Sequence, residues 1–181
     1  MRKLTSLLLP VVGLLYPFLV YFGMAHVSTP LFALLLGTIW LIRAPSLLKQ
    51  PGGRWMIAAA LAYCALLAFS GEAAMLRWYP TLISVLLLFV FGISLKYGPP
   101  MVERIARASE PELPLEAIPY TRKVTWVWVG FFMFNGLVSA VLTLWAPLGW
   151  WTLYNGLIAY FIMGTLFGGE WLLRRRLRTA A

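Results

Sequence analysis

Six stretches of apolar residues, separated by short polar gaps, set the pattern of this chain. They run Leu4–Gly23, Thr29–Ile42, Trp55–Ser70, Trp78–Leu95, Val124–Leu148 and Trp150–Leu173. A helix needs about 20 apolar residues to cross a bilayer, within a range of about 17–25. The first, fourth, fifth and sixth stretches meet that length. The second is short unless Leu47 and Leu48 extend it past Arg43 and Pro45, and the third is marginal. Backbone groups in lipid must be satisfied within their own segment, which selects helices. The pattern therefore predicts an all-α, polytopic transmembrane helical bundle of about six spans. Residues 1–181 are expected to form a single integral membrane domain. Pro10, Pro17 and Pro80 fall in or just inside spans and are expected to kink them.

The gaps are short, except for a linker over 96–123. It opens with Pro99-Pro100 and continues Met101-Val102-Glu103-Arg104-Ile105-Ala106-Arg107-Ala108. Pro suits a helix start. Met101, Ile105 and Ala108 share one helical face, with Arg104 and Arg107 off it. That spacing fits a short amphipathic helix on the membrane surface, and a solvated linker is the other reading. Glu110–Glu116 is acidic, broken by prolines and expected to be extended.

Charge adds an orientation. Fourteen of the fifteen Lys and Arg residues lie in alternate gaps, at the N-terminus, around Arg43–Arg54, in the 96–123 linker and in the Arg174–Arg178 tail. Arg77 is alone on the other side. Cytoplasmic loops retain Lys and Arg, so both termini are expected in the cytoplasm. A five-span arrangement would scramble this sorting. The net charge of +9 does not indicate nucleic acid. The basic residues flank spans, where anionic lipid attracts them, and no aromatic-studded basic domain is present. The expected partners are membrane lipids and other inner-membrane proteins. At 61% hydrophobic and 12% charged, the composition is far from the roughly 25% charged of soluble domains. Met1-Arg2-Lys3 before an apolar run looks like a signal-peptide start, but the length of the run favours an uncleaved first span. Trp55, Trp78, Trp126, Trp128, Trp145, Trp150, Trp151 and Trp171 lie near span ends, where an aromatic belt is expected.

Polar groups inside spans are functional suspects, and few are present. Glu170 is the one acidic residue inside a predicted span. Arg174 follows it at i+4, so a structural ion pair and a role in ligand or proton handling are both open. Asn135 and Asn155 each begin an Asn-Gly-Leu triplet inside a span. Interhelical bonding and ligand contact are the two readings of each amide. Gly164, Gly168 and Gly169 form a small-residue face suited to close helix packing, in the chain or in a homo-oligomer.

Catalytic parts are lacking. The chain has no Asp, one His and one Cys. A Cys–His pair would have to join the membrane-buried Cys64 to His26 in an outer loop. No metal-ligand cluster or phosphate-binding glycine loop is present. The chain is expected not to be an enzyme, with no catalytic, cofactor or metal residues.

Several short motifs resemble the intracellular septation protein A family, small proteins spanning the inner membrane of Gram-negative bacteria. Trp78, Pro80 and Thr81 match a Trp-x-Pro-Thr pattern. Pro100-Met101-Val102-Glu103 and Leu113-Pro114 are similar to that family's linker. Trp126 or Trp128, Phe131-Phe132 and Gly136-Leu137 resemble its next span, and Gly156 and Gly169 keep its spacing before a basic tail. Pro17, Val20, Tyr79, Trp151, Leu153 and Ser139 stand where the family carries more polar residues, which marks a divergent branch. The resemblance implies a non-enzymatic inner-membrane protein of the cell envelope. Its role would be scaffolding or lipid homeostasis through membrane partners. The alternative is a membrane component that moves or presents a lipid or acyl product, tied to a fatty-acid-like or aryl-polyene pathway. An enzyme acting on lipid at the cytoplasmic face ranks third. A scaffold needs no cavity, whereas a lipid handler requires one that reaches Asn135 or Glu170.

Overall fold

The computed structural model describes residues 15–23, 26–49, 53–109, 112–114 and 117–179. It is an all-α polytopic helical bundle, with no strand among the described residues. Among the described residues, five stretches are long and apolar enough to cross a membrane: Thr29–Leu47, Gly53–Ser70, Ala73–Lys96, Ala117–Trp145 and Leu148–Leu173. The first expected span is described only over 15–23, which is helical (α1). Its earlier part, with Pro10, lies outside the described residues. The chain is thus a multi-pass membrane protein.

The helix bounds differ from the sequence reading for local reasons. The second helix, α2 (Thr29–Leu47), runs through Pro45, whose missing amide falls in the last turn and removes a single bond. Next comes α3 (Gly53–Ser70). The following span opens as a tight 3₁₀ segment, Ala73–Trp78, and continues as α4 (Tyr79–Lys96). Pro80 is therefore the second residue of α4, where it favours helix initiation instead of a kink. The linker contains α5 (Met101–Ser109), so the expected helix is present. The long α6 (Ala117–Trp145) begins seven residues before the apolar stretch, with Pro119 tolerated in its first turn. Then α7 (Leu148–Leu153) passes through a π-turn at Tyr154–Ile158 into α8 (Ala159–Thr179). The linker is accordingly shorter than 96–123.

Packing divides these helices into two compact units within the 1–181 span. One holds the described residues up to Tyr79 together with Val141–Ile158. There α2 packs against α3, over a core that includes Tyr16, Val20, Phe32, Leu36, Leu67 and Trp151. Polar groups of the 3₁₀ segment are satisfied by side chains. Tyr16 Oη donates to the Leu76 carbonyl at 2.7 Å, and Tyr63 Oη donates to that of Met75.

The same unit corrects the aromatic-belt expectation at Trp151, which is fully buried. Its indole nitrogen donates to the Arg77 carbonyl and the Thr143 hydroxyl, both at 3.1 Å. Thr143 Oγ1 also donates to the Arg77 carbonyl, at 3.0 Å. The Arg77 guanidinium in turn donates to the carbonyls of Leu142 and Ala146, each at 2.7 Å. A buried indole N–H needs such partners, because no water is there to supply one.

The other unit holds Pro80–Ala140 and the chain from Ala159 onward. Its core is aromatic: Phe91, Trp128, Phe131 and Phe132. Trp128, also expected in the belt, is buried here. Asn135 of α6 is buried and donates from Nδ2 to Ser84 Oγ of α4 at 2.9 Å. A Cβ on Gly136 would stand 3.2 Å from Ser84 Cβ, so the glycine permits the approach that the bond requires.

Candidate functional site

The second unit contains a cleft of about 310 Å³, at the lower end of the ~300–1,000 Å³ usual for ligand pockets. Four helices supply its walls, each through two or three residues about one turn apart. From α4 come Leu87 and Phe91, and from α6 come Val124, Trp128 and Phe132. From α8 come Met163, Phe167 and Glu170, and from α5 come Val102, Ile105 and Ala106. Each set repeats at three or four residues, the spacing that aligns side chains on one helical face. The rings are mutually packed. Trp128 lies 4.6 Å from Phe167 and 5.7 Å from Phe132 between centroids, and Phe91 lies 5.1 Å from Phe132. Such tilted and edge contacts hold the walls in fixed orientations.

The position of α5 is set by polar contacts made outside the helix. The first amides of any helix lack intrahelical acceptors. Met101 N donates to Ser94 Oγ of α4 at 2.9 Å, and Val102 N donates to Thr125 Oγ1 of α6 at 3.3 Å. Two neighbouring helices thus cap α5. Gly98, with φ +86°, makes the turn into it, a conformation open to glycine without strain. Arg104 closes the turn from Nε to the Pro99 carbonyl at 2.7 Å and from Nη2 to that of Tyr97 at 3.1 Å. Glu103, 4% exposed, pairs with Arg107 at 2.8 Å. Glu103 and Ala106 are buried and Met101 and Val102 pack against the aromatic core, so of the expected face Met101, Ile105 and Ala108 the first is turned inward and Ala108 is exposed. Ile105 lines the cleft yet remains 54% exposed. The helix docks on α4 and α6 through its backbone as well as its apolar residues.

Glu170 is partly buried and, among the described residues, is the one ionisable residue in the cleft lining. The Tyr120 hydroxyl reaches its backbone carbonyl at 3.4 Å. The Arg174 side chain lies outside the described part of the structure, so the expected i,i+4 pair lies there too. The cleft reaches Glu170 and does not include Asn135, which bonds Ser84 between helices. Asn155 is buried in the first unit and donates to the Trp151 carbonyl at 2.9 Å, one turn back. It sits in the π-turn, and a Cβ on Gly156 would press on the Phe18 ring at 2.8 Å. In both Asn-Gly-Leu triplets the amide is bonded inside, the glycine admits a close neighbour, and the leucine is exposed.

Gly164, Gly168 and Gly169 are exposed, and a Cβ at any of them would meet open space. The close approach expected at these glycines is thus not made by the described residues. Cys64 is buried beside Gly37, and His26 is exposed. Among the described residues no group of His, Cys or Glu could hold a metal ion.

The sequence reading identified Glu170 and α5 but not the aromatic walls. The signal available was the four-residue spacing of Val124, Trp128 and Phe132 and of Met163 and Phe167. In a span that is apolar all round, this stripe does not stand out. Chemically, the cleft offers apolar and aromatic surface to a chain and one carboxylate to a polar end. No protein-family model, curated protein or solved structure matches the chain.

Proposed function

We propose that this protein holds the chain of an amphipathic lipid in the cleft between α4, α5, α6 and α8, with the polar end at Glu170. It acts in the bacterial inner membrane, without catalysis, as a component that presents or moves a lipid or acyl product. The observation that carries this reading is that the aromatic-walled cleft reaches Glu170. The basic linker around α5 supports a cytoplasmic mouth. The resemblance to a divergent branch of the septation protein A family is compatible with lipid homeostasis in the envelope.

A scaffolding role with other membrane proteins is the second reading. It is favoured by the exposed glycines on α8, the span with the smallest buried share, 11%, because small residues let a partner helix approach.

The two readings separate on lipid retention. Protein purified in mild detergent is analysed by native mass spectrometry. Lipid holding predicts a retained lipid in the wild type that is lost in Ala106→Trp, which fills the cleft, and kept in Leu144→Trp on an exposed face. Equal retention in all three proteins would remove the cleft from the function.

A further inference from the structure

We infer that the polar end held at Glu170 carries an ammonium group, from a long-chain amine or an aminophospholipid headgroup. This rests on the proposed chain-binding reading and specifies its ligand.

Three observations converge. First, among the described residues Glu170 is the one ionisable residue lining the cleft. An ionised carboxylate only accepts hydrogen bonds. An anionic end such as a fatty carboxylate would place like charges together at a partly desolvated site. Second, the arginines of the linker are engaged elsewhere. Arg104 holds the Pro99 and Tyr97 carbonyls, Arg107 holds Glu103, and Arg122 donates to the Leu95 carbonyl at 3.0 Å. None of the three lines the cleft. Third, Phe167 lies one turn before Glu170 on α8, and its ring packs 4.6 Å from that of Trp128 in the same lining. Aromatic faces attract an ammonium group and offer less to a neutral hydroxyl. The cleft is therefore a chain site closed by an acceptor carboxylate and π surface.

The test uses the full-length protein in phosphatidylglycerol nanodiscs, whose lipid carries no ammonium group, with native mass spectrometry as readout. The single-chain probes are dodecylamine, dodecanol and dodecanoate, and the headgroup probes are lysophosphatidylethanolamine and lysophosphatidylglycerol. A charge-assisted bond predicts adducts of the amine at least about tenfold above those of the carboxylate. Lysophosphatidylethanolamine should likewise exceed lysophosphatidylglycerol if the source is a phospholipid. If the source is a free amine, only dodecylamine should stand out. Glu170→Gln should remove the preference for dodecylamine over dodecanoate. The wild-type ranking tests the inference even if that variant does not fold. Equal adducts from all chain-matched probes, or a carboxylate preference, would overturn the ammonium assignment and leave chain binding intact. No adduct from any probe would overturn both.

Discussion

Arg77 and Trp151 clasp one another: the indole nitrogen donates to the Arg77 carbonyl at 3.1 Å, while the guanidinium lies over the same ring, 6.0 Å from its centroid. The side chain that breaks the charge sorting is thereby explained. Arg77 donates to the Leu142 carbonyl in the last turn of α6 and to the Ala146 carbonyl just past its end. These lie at the negative end of that helix, which favours a cation.

Removing this clasp should cost stability. Arg77→Gln is expected to destabilise by about 2 kcal/mol, the range for hydrogen bonds to a charged group. Thr143→Val should lose about 1 kcal/mol, as for a neutral bond. Unfolding by dodecyl sulfate in mixed micelles measures both. An Arg77→Gln protein as stable as wild type would mean that the guanidinium bonds contribute nothing.

Asn135 and its neighbour should respond in opposite proportion to their polarity. Interhelical hydrogen bonds in membranes average about 0.6 kcal/mol, so Asn135→Leu should change little. Gly136→Val, pressing on Ser84, should cost about 1–3 kcal/mol as an overpacked contact. The same unfolding assay ranks them, and a larger loss for Asn135→Leu would reverse the argument.

The caps that fix α5 predict a local effect. Ser94→Ala with Thr125→Val leaves the Met101 and Val102 amides without their acceptors, at about 1 kcal/mol for each lost cap. Amide exchange over 101–108 should accelerate, while α4 and α6 remain protected. Unchanged exchange would show that apolar contacts alone hold the helix.

The basic-residue split predicts labelling. In a Cys64→Ala background, cysteines at Ser28, Gly71 and Gly149 should react with an impermeant reagent on intact cells. A cysteine at Ser109 should react only after lysis. External labelling of Ser109 would overturn the orientation.

Span positions were legible because hydrophobic length is a direct physical requirement of the bilayer. Their ends were not, since Pro45 in a last turn and Pro119 in a first turn leave no apolar signature. The Asn135 bond was anticipated as a class of contact, because a buried amide needs some partner. That the partner is Ser84 depends on helix register, which spacing does not encode. The spacing on α5 pointed to Met101, Ile105 and Ala108; Met101 packs inward and Ile105 lines the cleft, but Ala108 is exposed, and capping by Ser94 and Thr125 brings Glu103 and Ala106 to the buried side. Trp151 was assigned to the interface because it lies beside Trp150 at a span end. Its burial follows from Arg77 and Thr143, distant in sequence. The cleft walls were hidden for a related reason: aromatic stripes look alike whether they face lipid or one another.

The claim that the cleft is a lipid site, distinct from the lipid-bathed surface, is tested most directly by photocrosslinking in native membranes. A diazirine-bearing phosphatidylethanolamine is incorporated, activated, and the labelled peptides are mapped. The account predicts label concentrated at Trp128, Phe132 and Met163, suppressed by Ala106→Trp. Label spread evenly over the exposed residues Leu144, Phe161 and Leu172, with no enrichment in the cleft, would contradict it.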